Sequence, residues 1–352
     1  RGACVVSSPG IAAVAICTFW HSMVGVGEQG RAVTPLYTWA DTRSSAAAER
    51  LKQRLDARAA HARTGAVIHP SYFPARLAWL EETQPEVLRR VARWMSPGEY
   101  LNQRLLGRPL CSVSMASGSG LLNQNGRCWD QELLAALPIR PEQLPPLVEL
   151  DSRLAGLGPN YAPRWPSLAE APWFPAVGDG ACSNIGSGCT TTERIALMVG
   201  TSGAMRVVWE TPRIEIPAGL WCYRVDGRRV VLGGALTGGG DLFAWLRGLL
   251  AFDGLASEEL ERELTAMGAD EHGLTVLPFP AGERSPGWAS HARAAVAGMS
   301  FHTRPIDVLR AGLEAVAYRF RLIAEEMQSK LPPAREIVAS GGALLASPAL
   351  EI

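Results

Sequence analysis

The apolar positions of this chain fall into runs, short alternations and one long stripe. Residues 11–17 (IAAVAIC) are continuously apolar, which predicts a buried strand. Residues 45–61, rich in Ala, Arg and Leu, predict a helix, as do 74–81 and 85–107. Nine prolines between Pro138 and Pro175 predict an irregular connection between two domains. Beyond it, Ile195–Val199 and Met205–Trp209 read as strands flanking the turn Gly200-Thr201-Ser202-Gly203, and Arg229–Leu232 as a further short strand. Helices are expected at 240–250 and 257–267. The clearest is 305–330, where Ile306, Leu309, Leu313, Val316, Phe320, Ile323 and Met327 recur three and four apart and form one core-facing stripe.

Composition narrows this α/β reading. A chain of 352 residues is long for one core and fits two domains. Hydrophobic content of 47% against 19% charged marks a folded protein. Lys plus Arg and Asp plus Glu balance at 34 each, which gives no electrostatic reason for a nucleic-acid partner or an acidic membrane. No apolar run is long enough to span a bilayer and no secretory signal is visible. Seven scattered cysteines, Cys4 among them, with no CxxC pair argue against a disulfide framework or a zinc site, so a reducing cytoplasm is the default. With lysine only at 52 and 330, no GxxxxGK[ST] loop exists. The chain opens on Arg1 and stops at Ile352 after a glycine-rich turn, as an internal piece of a longer protein would.

Several short stretches could carry chemistry. Asp179 is a lone carboxylate between two glycines in PAVGDGACSNIGSG (175–188). Small neighbours allow a ligand close to the backbone. By itself the stretch reads more readily as a helix cap than as a general base. The turn at 200–203 offers backbone N–H groups and hydroxyls to phosphate oxygens, or is an ordinary hairpin turn. IVASGGALLASP (337–348) is strand, double glycine, helix, a pattern that admits a nucleotide beside the glycines. In YTWADTRS (37–44), Asp41 and Arg43 offer an acceptor and a donor to a polyol, beside a buried-looking Trp39 that could cover an apolar sugar face; the alternative is a surface ion pair. Phe19-Trp20-His21-Ser22 follows the first strand, where open α/β sheets often carry ligand groups. GERSP (282–286) reads as a polar corner or a hinge.

Taken in order, these segments resemble the FGGY family of carbohydrate kinases: WHSM (20–23), TWADTRS (38–44), Arg63-Thr64-Gly65, the Trp79 segment, SMASGSGL (114–121), VGDG (177–180), VGTSG (199–203), GERSP and ASGGALLASP (339–348). The resemblance implies two actin-like, ribonuclease-H-like domains around a cleft, here 1–172 for sugar and 173–352 for nucleotide, both incomplete. It implies ATP and Mg²⁺, with no metal ligand assigned in this chain. Asp179 matches the family's catalytic base. Gly200 and Thr201 match the loop at the terminal phosphates, Gly240 and Gly342 the backbone contacts to nucleotide, and Ala346 a position near the adenine. Trp20, His21, Asp41 and Arg43 fall where the sugar pocket is built. TWADTRS with RTGAVIHP (63–70) is most similar to the gluconokinase branch, whose acid sugar calls for a cation such as Arg43 or His21.

Two departures qualify the resemblance. The family's Asp-Gly-Thr phosphate loop is absent from this sequence, so the piece alone is expected to turn over substrate poorly. Ser112 stands where many relatives carry an acid. The function expected is phosphorylation of D-gluconate to 6-phosphogluconate. A xylulose or other pentulose kinase is the alternative within the class. A non-catalytic sugar- or nucleotide-binding relative, and a nucleotide-gated assembly protein of the actin-like kind, are the alternatives outside it. A homodimer is compatible with all of these.

Overall fold

The computed structural model describes residues 10–154, 156–250, 252, 256–347 and 349. Arg1, Cys4, Pro348 and Ile352 lie outside them, as does the side chain of Ala346. The chain forms two compact units. The first comprises Arg1–Ser183 with Glu210–Ile214 and Tyr223–Val230, and the second comprises Asn184–Trp209, Glu215–Cys222 and Val231–Ile352. The proline-dense segment belongs to the first unit, where Leu154, Leu157 and Trp173 bury with Leu106.

The main core of the first unit gathers helices and loops around Trp94, Leu77, Leu80, Leu51 and Leu121, all at most 1% exposed. Three expectations need correction. The run 11–17 is not a buried strand. Only Cys17–Thr18 form a strand, parallel to Val177–Gly178, and Val14 adds one bridge to Trp173. Most of the run is exposed or half-exposed, because among the described residues it has β partners on one side only. Residues 45–61 break into helices Ser45–Arg54 and Ala57–Thr64. Leu55 is extended, and Asp56 caps the second helix by accepting from the N–H groups of Arg58 and Ala59, the usual way an Asp interrupts a helical pattern. Residues 85–107 contain a strand, Arg93–Met95, between helices Pro85–Arg90 and Pro97–Leu106. Its antiparallel partner is Val24–Val26. Ser96, Pro97 and Glu99 restart the helix as a capping box.

The second unit holds most of a five-stranded sheet in the order Trp221–Arg224, Arg229–Leu236, Gly203–Glu210, Arg194–Val199, Glu336–Ser340, of whose strands Glu210, Tyr223, Arg224, Arg229 and Val230 are counted with the first unit. The expected strand at 229–232 thus extends to Leu236. The hairpin forms as expected, with Gly203 opposite Val199. Glu336–Ser340 runs parallel to Arg194–Val199. The expected long helix spans Pro305–Gln328 and buries every residue of its stripe. Glycines let it press close to the sheet: a Cβ on Gly203 would lie 2.5 Å from Phe320, and one on Gly234 2.7 Å from Ile323. Helices Gly240–Leu249 and Ser257–Ala266 match expectation closely. Among the described residues no helix is long and apolar enough to cross a membrane.

Candidate active site

In the first unit, strand Val177–Gly178 runs into helix Asp179–Gly186. Asp179 is the first residue of that helix and is exposed. Its Oδ1 accepts the Gly180 N–H at 2.9 Å, its one hydrogen bond among the described residues. The carboxylate therefore sits at the helix start and is open to a hydroxyl.

Trp20 packs directly under this start. It is 4% exposed, and its Nε1–H donates to the Ser114 carbonyl at 3.0 Å. A Cβ on Gly178 would sit 1.8 Å from the indole, and one on Gly118 2.3 Å from it. The indole is thus a wall for the Asp179 turn, with its N–H already committed. Ser114 also accepts the Gly178 N–H through Oγ at 3.3 Å.

His21 follows with φ of +66°, in the left-handed region. Its Nδ1 lies 2.6 Å from the Gly118 carbonyl, so Nδ1 carries the proton and donates. Tyr72 and Tyr223 meet its ring edge-on at centroid distances of 5.0 and 5.3 Å, and their hydroxyls bond to each other.

Arg76, 1% exposed, ties this set to the Asp41 loop. It donates from Nη1 to the His21 carbonyl and from Nη2 to the Thr38 carbonyl at 2.6 Å. Burial pulls its guanidinium down to about 10, with Asp41 acting in the opposite direction. It stays charged at neutral pH.

Asp41 and Arg43 pair with each other. Nε of Arg43 donates to Oδ1 at 3.0 Å and to Oδ2 at 3.1 Å, and Nη2 donates to Oδ2. The Arg43 side-chain hydrogen bond, above all, holds the Asp41 carboxyl below its usual range. The guanidinium also lies over Trp79, 4.9 Å from the ring centroid. Trp39 is 44% exposed and not buried as its sequence context suggested.

In the second unit, Thr201 is exposed at the hairpin tip. The tip offers fewer N–H groups than the sequence suggests, because Gly200 N–H closes the turn onto the Ser202 carbonyl at 2.9 Å. The Gly200 and Thr201 carbonyls accept from the start of helix Gly240–Leu249: Gly240 N–H to Gly200 at 2.8 Å, and Gly239 and Asp241 N–H to Thr201 at 3.1 and 3.2 Å. Gly240 is hemmed in, since a Cβ there would lie 2.8 Å from the Ala343 Cβ and 2.9 Å from the Gly200 oxygen. Gly341 has φ of +115°, and a Cβ on it would meet the Val199 oxygen at 2.2 Å. Only glycine fits there. Gly342 opens the five-residue helix Gly342–Ala346 with open space beside it.

The structure thus gathers Asp179, Trp20, His21, Asp41 and Arg43 in one unit and Gly200, Thr201, Gly240, Gly342 and Ala346 in the other. Sequence reasoning missed Arg76, Tyr72, Tyr223 and Ser114. Arg76 left a signal, a charge inside the apolar helix FPARLAWL. Tyr72 and Tyr223, 151 residues apart, left none.

An exposed carboxylate at a helix start over an aromatic wall thus lies in the first unit, and glycine-shaped turns lie in the second. The chain belongs to the FGGY family of carbohydrate kinases: the family's N-terminal domain matches residues 3–186 and its C-terminal domain residues 195–351. The fold is accordingly the actin-like, ribonuclease-H-like one in both domains. The gluconokinase of Bacillus subtilis (strain 168) is 29% identical over 351 residues, covering 94% of this chain and 67% of that protein. A xylulose kinase of Lactococcus lactis is 28% identical, covering 92% of this chain and 64% of the relative. Among solved structures, a gluconate kinase from Lactobacillus acidophilus superposes with a TM-score of 0.88 at 29% identity, over 96% of this chain and 68% of that one. A ligand-bound xylulose kinase from the same organism gives 0.88 at 30% identity, over 96% and 69%. The chain spans about two thirds of the length of these relatives.

Proposed function

We propose that the intact protein transfers the terminal phosphoryl group of ATP to a hydroxyl of a sugar acid, with D-gluconate giving 6-phosphogluconate. The observation that carries this reading is the seating of Trp20 on Gly178. It joins the loop assigned to sugar binding to the residue just before Asp179, so one floor serves both the sugar and the base. Asp179 orients the attacking hydroxyl and takes its proton as the bond to phosphorus forms. Trp20 and the buried Tyr72–Tyr223 pair back the proposed sugar site, the tyrosines packing against the His21 ring. Arg43 spends Nε and Nη2 on Asp41, which leaves Nη1 to reach a substrate carboxylate.

Gly200 and Thr201 receive the terminal phosphates, through the Thr201 hydroxyl and the turn. Gly240 and Gly342 let the nucleotide approach the backbone, and Ala346 lies toward the base. Gly240 would serve by its lack of a side chain, because its N–H is already bonded. A cytoplasmic location belongs to this reading. Magnesium arrives as the complex of ATP's phosphates. Among the described residues no cluster of three His, Cys, Asp or Glu side chains forms a cage for it. The work left to this chain is binding, alignment and proton transfer.

The relatives include both gluconate and xylulose kinases, so the test is a panel of gluconate, xylulose, ribulose and glycerol with ATP and the intact protein. Gluconate is expected to give the highest kcat/KM. Gluconate ranking last overturns the assignment.

A further inference from the structure

A groove of about 630 Å³ on the first unit shares no residue with the candidate active site. Four arginines line it, Arg31, Arg89, Arg90 and Arg140. All four are exposed, and none forms an ion pair among the described residues, although 17 ion pairs occur elsewhere among them. Two carboxylates, Glu28 and Glu142, share the groove, so it carries a local surplus of positive charge on a chain whose net charge is zero.

The groove is built from fixed backbone. The Arg31 carbonyl accepts the Gly27 N–H at 2.9 Å, and Ala32 bridges Val26. Arg89 and Arg90 end helix Pro85–Arg90. Gln143, 9% exposed, accepts the Arg140 N–H at 3.0 Å and donates to the Val91 carbonyl at 2.8 Å, which pins the Arg140 turn to the approach of strand Arg93–Met95.

We propose that this groove binds a phosphorylated polyhydroxy compound. Guanidinium forks match phosphate oxygens two at a time. Glu28 and Glu142 can accept from hydroxyls beside that phosphate, which a purely anionic ligand would not use. The volume suits a small metabolite.

The test is calorimetric titration of the chain with glucose 6-phosphate, with glucose and inorganic phosphate as comparisons. Glucose 6-phosphate should bind, and Arg89→Gln and Arg140→Gln should each weaken it by about tenfold, the scale of one lost charge-assisted contact. The double variant should lose binding, while Arg321→Gln, an exposed arginine elsewhere, should leave it unchanged. Arg89 and Arg140 lie outside the proposed phosphoryl-transfer site, so the losses in their variants separate the two sites. Absence of binding overturns the proposal, as does binding that survives the double variant or falls equally with Arg321→Gln. Inorganic phosphate binding as tightly as glucose 6-phosphate overturns the polyhydroxy half of it.

Discussion

The residues proposed for sugar and those proposed for nucleotide are held in place by different means. In the first unit, side chains do the holding. Trp20 is wedged against Gly118 and Gly178, His21 is bonded to Gly118, and Arg76 reaches two carbonyls on two loops. In the second unit, backbone holds backbone. The Gly200 and Thr201 carbonyls accept from residues 239–241, and Gly341 passes against Val199 with no room for a Cβ. A surface made by side chains can change its ligand by exchanging them. A surface made by glycines and carbonyls cannot be altered without moving the chain. Variable sugar specificity over a constant nucleotide partner is what this contrast allows.

One pair of substitutions breaks the comparison most sharply. Gly178→Ala places a methyl 1.8 Å from the Trp20 indole, and Gly341→Ala places one 2.2 Å from a backbone oxygen at φ +115°. Each should cost about 3 kcal/mol or more in chemical denaturation. Trp20→Leu should restore much of the first loss, because the obstacle is a side chain. No side-chain truncation should restore the second. Rescue of Gly341→Ala by such a change would refute the contrast.

A smaller effect is expected at Arg76. Arg76→Leu keeps much of the volume but leaves the His21 and Thr38 carbonyls without their donor. In the intact protein, KM for sugar should rise about tenfold or more while KM for ATP stays within about twofold, since a buried carbonyl left unpaired costs about 1–3 kcal/mol. Equal changes in both constants would point to general loosening.

The smallest effect concerns Glu99, which is buried beneath the same unit. Burial, the largest influence, raises its carboxyl above the ordinary range despite the bonds to Ser96. A raised folded-state value means that its contribution is fully present below the unfolded value. It is lost as pH rises through the folded one. Glu99→Gln should therefore flatten the decline of the urea midpoint across that window and leave the acid side unchanged. A variant with the wild-type pH profile would show that Glu99 does not titrate as described.

Much of the second unit was legible in the sequence because its elements follow simple periods. The hairpin at 199–203 and the stripe of 305–328 match their patterns nearly residue for residue. The first unit was less legible. Trp94 is fully buried in a three-residue strand that sits between two helices, so the helical pattern on both sides concealed it. The Ser96-Pro97-Gly98-Glu99 cap that restarts the helix was readable and marks the true boundary. The links from Arg76 to carbonyls 38 and 55 residues away have no local signature. Chain patterns report what a residue does for its own element, and the sugar-side set is made of contacts between elements.

The central claim is that Asp179 is the base, and Asp179→Asn in the intact protein tests it most directly. Gluconate binding by calorimetry should stay within a few-fold of wild type, because the amide keeps the size of an exposed side chain with one hydrogen bond. Turnover should fall by about 10²–10⁴, the range of a lost general base. Turnover near wild type with gluconate bound as before would contradict the account.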